Sequence, residues 1–282
     1  MIQKAVFSFW TKPNADIWKQ ERWLHPDYAW YSWVVAVNCA KQWFDKVELV
    51  TDQTGAYILT EWLGLKFDSV RTDLEELSVD TNFWSYGKIK AYQIQEEPFV
   101  HIDFDVFLFK PLPQELLQSR IFVQNIEEGF RFEDCYREYV DVVNIFPRKP
   151  KSWTHSLTEA SCMGIFGVND LSFIETYCQQ VNELLFSPEN NNHWDVIPDK
   201  HFYCIVFEQF LLDCVAKDLN ISIDYLHRNY SPKKFQELGY LHIWFAKLNE
   251  GYYNRIKQLV TNNFPKQAKI IYEKFSSINN FA

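Results

Sequence analysis

Glycine is scarce in this chain, eight in 282 residues, so few positions can adopt backbone conformations closed to other amino acids. Collagen-like repeats and glycine-rich low-complexity scaffolds are excluded. Paired cysteines are missing as well. The six present, Cys39, Cys135, Cys162, Cys178, Cys204 and Cys214, show no C-x-x-C spacing and stand mostly in apolar stretches, which predicts reduced, buried thiols. No apolar run is long enough to cross a bilayer, and residues 5–10 are too few for a signal-peptide core. The expected location is therefore cytoplasmic, with peripheral attachment as the closest approach to a membrane. Positive charge is in deficit: 28 Lys+Arg against 37 Asp+Glu leave −9 at pH 7. A polyanionic partner such as nucleic acid is not expected, because phosphate binding needs a positive footprint.

What the chain has in excess is rings. Phe (24), Tyr (15) and Trp (11) make up 18% of it, more than one core needs, so rings are expected on the surface, where they suit sugars, flat ligands or protein partners. Apolar residues reach 47% and charged ones 23%, enough burial to offset chain entropy and form an ordinary globular protein. The length allows one large α/β domain, and neither an internal repeat nor a composition break divides it. Charge is uneven. Residues 231–282 hold eight basic and three acidic side chains, a net of +5, which leaves −14 for residues 1–230. A basic tail of this kind suits a solvated helical face or contact with an anionic ligand or lipid surface.

Periodicity places strands at residues 5–10, 46–51, 67–70, 98–103, 121–124, 160–168 and 221–226. Helices are expected over residues 30–43, 54–63, 85–95, 134–145, 171–186 and 201–217, with two more after Glu250. Asn169-Asp170 is the capping signal of the helix over 171–186. Residues 187–200, SPENNNHWDVIPDK, read as a polar loop, a mobile cover for a site or plain surface. Strands alternating with helices predict an α/β fold with a mixed, mostly parallel central sheet flanked by helices.

The sharpest feature is His101-Ile102-Asp103-Phe104-Asp105-Val106-Phe107. Two carboxylates interrupt an apolar stretch, and burying charge without compensation is costly. Residues i and i+2 of an extended chain point to one side, so Asp103 and Asp105 converge beyond the strand's carboxyl end, where open α/β sheets bind ligands. Paired acids there suit a hard divalent cation, Mg²⁺ or Mn²⁺, holding a diphosphate; helix capping or pairing with a lysine is the alternative. Lys88, one helix earlier, is placed to reach a phosphate or sugar. Asp52 serves either a base or ribose hydrogen bond or a helix N-cap. Phe7, Trp10 and Thr11 stand where a nucleotide base would stack, though core packing also accounts for Phe7. Glu208 has no basic partner one turn away and would contact an acceptor hydroxyl or a base, or lie on a helix surface.

The run K-I-K-A-Y-Q-I followed by P-F-V-H-I-D-F-D-V-F-L-F-K-P-L resembles the core of nucleotide-sugar glycosyltransferases of the GT-A fold, in particular an uncharacterised bacterial group related to them. The resemblance covers roughly residues 2–250. It extends to the N-terminal strand, Val50-Thr51-Asp52, Met163-Gly164-Ile165-Phe166-Gly167, Glu208-Gln209, His242 and Lys247. It implies a GT-A-like (Rossmann-like) catalytic domain over residues 1–250 with a basic helical extension, 251–282, packed on it. It also implies that Asp103 faces ribose and metal, Asp105 binds the metal, His242 is a third ligand and Lys247 touches phosphate. The relatives' late motif H-x-x-G-x-x-K-P here reads His242-Ile243-Trp244-Phe245-Ala246-Lys247-Leu248, without its Gly and Pro. Phe104, where relatives often carry a small residue, is expected to narrow the sugar pocket.

The implied reaction moves a sugar from a UDP-like donor to an acceptor hydroxyl of a carbohydrate or glycoconjugate, a metal stabilising the leaving diphosphate. Asp105 and Glu208 are the candidate catalytic acids, and the late His and Lys resemble those of retaining enzymes. Two alternatives stand: a catalytically degenerate sugar- or partner-binding protein, and a phosphohydrolase with an aspartate nucleophile, against which Phe107 counts.

Overall fold

The computed structural model of the chain describes residues 2–14, 16–229 and 231–279. Nine strands occur among them: β1 (Lys4–Phe9), β2 (Lys46–Thr51), β3 (Ser69–Arg71), β4 (Phe99–Ile102), β5 (Val106–Leu108), β6 (Ile121–Glu128), β7 (Glu159–Val168), β8 (Asp224–Tyr225) and β9 (Tyr240–His242). Seven form one sheet in the order β3-β2-β1-β4-β7-β6-β8, and β5 with β9 forms a two-stranded sheet. The expected mixed, mostly parallel α/β sheet is present, and β7 runs antiparallel to β6 within it. The chain divides into two compact units. The first comprises Met1–Ile2, Glu76–His101 and Pro113–Pro232, and the second Gln3–Glu75, Ile102–Leu112 and Lys233–Ala282.

In the second unit β1 and β2 run parallel in register from Lys4↔Lys46 to Phe9↔Thr51. Strands buried on both faces read as nearly continuous apolar runs, as KAVFSF and KVELVT do. Helix Pro26–Ala40 links them and starts a turn before the expected residue 30, because proline is favoured in a helix's first turn. All but three of its fifteen residues are buried. Helices Glu250–Asn263 and Pro265–Asn279 pack on it, burying Ile256, Val260, Ile271 and Phe275. The loop before it contributes Trp18, whose ring meets Trp30 at 5.0 Å and Trp62 at 4.7 Å.

In the first unit β6 and β7 pair from Ile121↔Val168 to Glu128↔Glu159. Gly167 faces Phe122 across this ladder, and a Cβ there would lie 1.8 Å from the Phe122 ring. Helix Leu171–Phe186 is capped as expected: Asp170 accepts from the Ser172 and Phe173 amides at 3.1 and 3.3 Å. The strand expected over 221–226 is reduced to the two residues of β8, and three further segments depart from the sequence reading. Residues 187–200 are not an open loop but hold a 3₁₀ turn, Pro188–Asn190, and helix Asn191–Asp195. Their asparagine-rich composition hides an anchor, Trp194, which packs on Phe83 (5.0 Å) and Phe146 (4.7 Å). The stretch expected as one helix over 134–145 is two, Phe130–Cys135 and Arg137–Asn144, broken at Tyr136. The helix over 201–217 is a 3₁₀ turn, a π-helix (Val206–Phe210) and an α-helix (Leu211–Asp218) in succession.

All six cysteines are free, five of them buried, in line with the sequence. Among the described residues no helix is long and apolar enough to cross a membrane.

The core of the first unit also encloses Asp213. Its Oδ1 accepts from Ser161 Oγ at 3.1 Å, while Oδ2 is buried without a hydrogen-bond partner. Burial pushes its carboxyl up to about 8, so the folded chain holds a proton that the unfolded chain releases at its ordinary carboxylate pKa. The stabilisation is complete below about pH 4 and is lost as pH rises through about 8. Thermal unfolding of wild type and Asp213→Asn at pH 5, 7 and 9 checks this: the variant gains on wild type with rising pH, and parallel curves would refute it.

Candidate functional site

Asp103 and Asp105 stand on the turn between β4 and β5, closed by the Val106 amide donating to the Asp103 carbonyl at 3.0 Å. The side chain between them anchors the turn. Phe104 packs on Phe7, Trp33 and Phe9 at centroid distances of 4.9, 5.2 and 6.2 Å. Its carbonyl accepts from Ser32 Oγ at 2.9 Å. The ring expected to narrow a sugar pocket thus packs against other rings of this unit.

The antiparallel ladder of β5 and β9 brings His242 to the same place. Val106 pairs with His242 and Leu108 with Tyr240, and the Ile243 amide donates to the Asp105 carbonyl at 3.0 Å. Gly239 leads into β9 with a φ of +67°, a left-handed conformation that favours glycine. Its carbonyl accepts from the Phe109 amide at 2.7 Å, so this turn fixes the register. The 3₁₀ turn Trp244–Ala246 then swings Lys247 back toward Asp105.

Four predicted residues therefore meet. One ligand atom each from Asp103, Asp105 and His242 lies within 4.8 Å of the others. Lys247 Nζ is 2.7 Å from Asp105 Oδ2, and His242 Nε2 is 3.4 Å from Oδ1. The Trp23 ring lies under the ammonium at 5.0 Å, a cation–π contact worth about 0.5–2 kcal/mol. Burial opposes the charge on Asp105, but Lys247 and His242 outweigh it and hold the carboxyl well below the usual carboxylate range. Two carboxylates and an imidazole are a donor set that a divalent ion of the Mn²⁺ or Mg²⁺ type can use. Without an ion, Lys247 supplies the charge that Asp105 requires.

The other predicted residues of this unit are knitted into its frame. Asp52 Oδ1 accepts from the Gly55 amide at 2.7 Å, an N-cap, while Oδ2 accepts from the Thr11 amide and hydroxyl at 2.6 and 2.8 Å. Both residues follow parallel strands, so this strap ties the ends of β1 and β2 together. Phe7 is wholly buried, and Trp10 is buried with an indole Nε1 that has no hydrogen-bond partner. In the first unit Lys88 and Glu208 bind one another, Nζ to Oε1 at 2.9 Å. Helical spacing cannot reveal a partner 120 residues away. His101 packs edge-on against Tyr92, and burial together with the Lys88 charge holds its pKa well below the ordinary value. Sequence reasoning missed Trp23 and Ser32, which lie in a loop and on an apolar helix where no spacing marks them.

Asp52→Ala removes three hydrogen bonds from a buried strap and is expected to cost about 2–4 kcal/mol, read as a lowered midpoint in thermal or urea unfolding. Asp52→Asn retains an acceptor and costs less; equal losses would contradict the capping role.

Among solved structures, the galactosyltransferase LgtC in complex with donor and acceptor sugar analogs is similar with a TM-score of 0.46 and 11% identity, over 92% of this chain and 95% of that one. Mouse xyloside xylosyltransferase 1, apo form, has a TM-score of 0.41 and 10% identity, over 91% and 93%. The glycosyltransferase GlyE of Streptococcus pneumoniae TIGR4 has a TM-score of 0.33 and 12% identity, over 90% of this chain and 65% of that one. No curated protein matches the chain in sequence. One family matches over residues 3–274, and the chain belongs to it: the family of unknown function DUF6734.

Proposed function

We propose that the chain transfers a sugar from a nucleoside-diphosphate donor of the UDP type to a hydroxyl of a carbohydrate or glycoconjugate acceptor, with retention of anomeric configuration. The observation that carries this reading is the meeting of Asp103, Asp105 and His242 beside Lys247. A divalent ion, Mn²⁺ or Mg²⁺, held by these three side chains would supply Lewis-acid stabilisation to a leaving diphosphate. Asp103 and Asp105 bind and neutralise; His242 completes the donor set. Lys247 brings a further positive charge to the same spot and, once released from Asp105, is free to meet a phosphate oxygen. Phe104 and Ser32 keep the turn in place, so the acids are preorganised before a ligand arrives.

One observation favours a second reading. The direct Lys247–Asp105 pair already compensates the carboxylate, so the ammonium can stand in for a metal in a chain that binds sugars without transferring them.

A thermal-shift panel of nucleotide sugars with Mn²⁺ or with EDTA separates the two. A donor at 100 times its Kd stabilises by about 2.7 kcal/mol, a rise of roughly 4–5 °C for a chain of this size. Under the first reading the rise needs Mn²⁺ and is lost in Asp103→Asn and Asp105→Asn. Lys247→Met, freed of the competing ammonium, responds more strongly than wild type to Mn²⁺ alone. Under the second reading EDTA changes nothing and Lys247→Met abolishes the rise. If no nucleotide sugar raises the midpoint under either condition, both readings fail.

A further inference from the structure

The first unit carries a shallow, solvent-open depression of about 790 Å³ outside the acid cluster, lined along one wall by helix Leu171–Phe186. Gln179, Asn182, Glu183 and Phe186 line it at spacings i, i+3, i+4 and i+7, which is one face of a helix. That face presents two amides, a carboxylate and a ring, opposite the buried face of Ile174, Tyr177, Val181 and Leu184. Tyr86 and Arg148 complete the lining the inference uses.

The walls are set before any ligand binds. Asn190, fully buried, accepts from the Arg148 amide at 3.0 Å and donates to the Arg148 and Leu184 carbonyls at 2.8 and 2.9 Å. It thereby ties the loop bearing Arg148 to the end of the helix. Tyr86 donates its hydroxyl to Asn182 Oδ1 at 2.9 Å and packs edge-on against Phe186 at 5.2 Å, fixing an amide and a ring together. Phe186 nonetheless stays 45% exposed, although hiding a ring of that size is favourable.

The chemistry of the lining selects the ligand. Arg148 is paired with Glu183, so its charge is already matched and no surplus positive field remains for a phosphate or carboxylate. Planar amides and a guanidinium offer both donors and acceptors, which hydroxyl groups can use. An exposed ring offers its face to C–H groups. A neutral ligand with hydroxyls on its edge and an apolar face satisfies both demands, and a shallow, open site suits a ligand that keeps one side in water. We infer that this cavity is a carbohydrate-binding site for a neutral saccharide, laid over Phe186 and held by Asn182, Gln179 and Arg148. The inference stands on this cavity alone and holds whether or not the acid cluster transfers sugar.

Saturation-transfer NMR of the full chain tests it without any donor or metal. The probes are glucose, galactose, xylose, N-acetylglucosamine and their disaccharides at millimolar concentration in EDTA. Transfer to at least one of them is expected, reduced at least tenfold in Phe186→Ala and in Asn182→Ala. Circular dichroism verifies that each variant is folded, with a modestly lowered midpoint expected where Tyr86 loses its acceptor or its ring neighbour. Asp105→Asn should leave the signal intact. Absence of transfer to every probe, persistence of transfer in both cavity variants, or its loss in Asp105→Asn would each overturn the assignment.

Discussion

A buried carboxylate that must be compensated governs the local design around Asp105. Left alone, its charge would cost several kcal/mol in the interior, and every neighbouring feature answers that requirement. The β5–β9 ladder delivers His242, the Trp244–Ala246 turn delivers Lys247, and Trp23 lies under the ammonium. A cation of higher charge entering the cluster would compete with Lys247 for one carboxylate, so lysine and metal are alternative answers to a single electrostatic demand. Binding at such a place exchanges one counter-charge for another rather than filling a vacancy.

Much of the frame was legible in the sequence because it rests on local rules. β2 was placed to the residue, β1, β4 and β7 to within one, and the Asp170 cap followed from its position before an apolar period. Asp103 and Asp105 do meet as expected, but through the turn closed by Val106 rather than through the alternation of an extended chain, and the motif resemblance pointed to His242 and Lys247. Other features rest on distant partners and leave no local trace. β9 is three residues long, too short for an alternation signal, and Lys88 finds Glu208 across 120 positions. The segment around Trp194 reads as polar because one anchoring ring is outweighed by its asparagines. The broken helices before residue 145 and before residue 211 show tertiary packing overriding a continuous apolar period.

The surplus of rings divides between two uses. Trp18, Trp30 and Trp62 run on through Trp33 to Phe9, Phe104 and Phe7 as one continuous cluster inside the second unit. With few glycines to allow close backbone approach, large side chains fill the space between helix Pro26–Ala40 and its neighbours. Further rings fill the core of the first unit, Tyr92, Phe166 and Tyr177 among them, while Phe186, Trp244 and Phe245 reach the surface. The composition therefore predicted both a ring-rich interior and ring-bearing surfaces, without indicating which ring would do which.

The chain passes between its two units at residues 2/3, 75/76, 101/102, 112/113 and 232/233. During synthesis at ~5–20 residues per second, the turn carrying the acids leaves the ribosome more than a hundred positions ahead of the strand carrying His242. For that interval Asp105 has neither its imidazole nor its ammonium, and the nascent chain must keep the carboxylate hydrated. Order of emergence thus imposes a late closing step on the second unit, whose acid-bearing turn can be desolvated only after residue 247 has appeared.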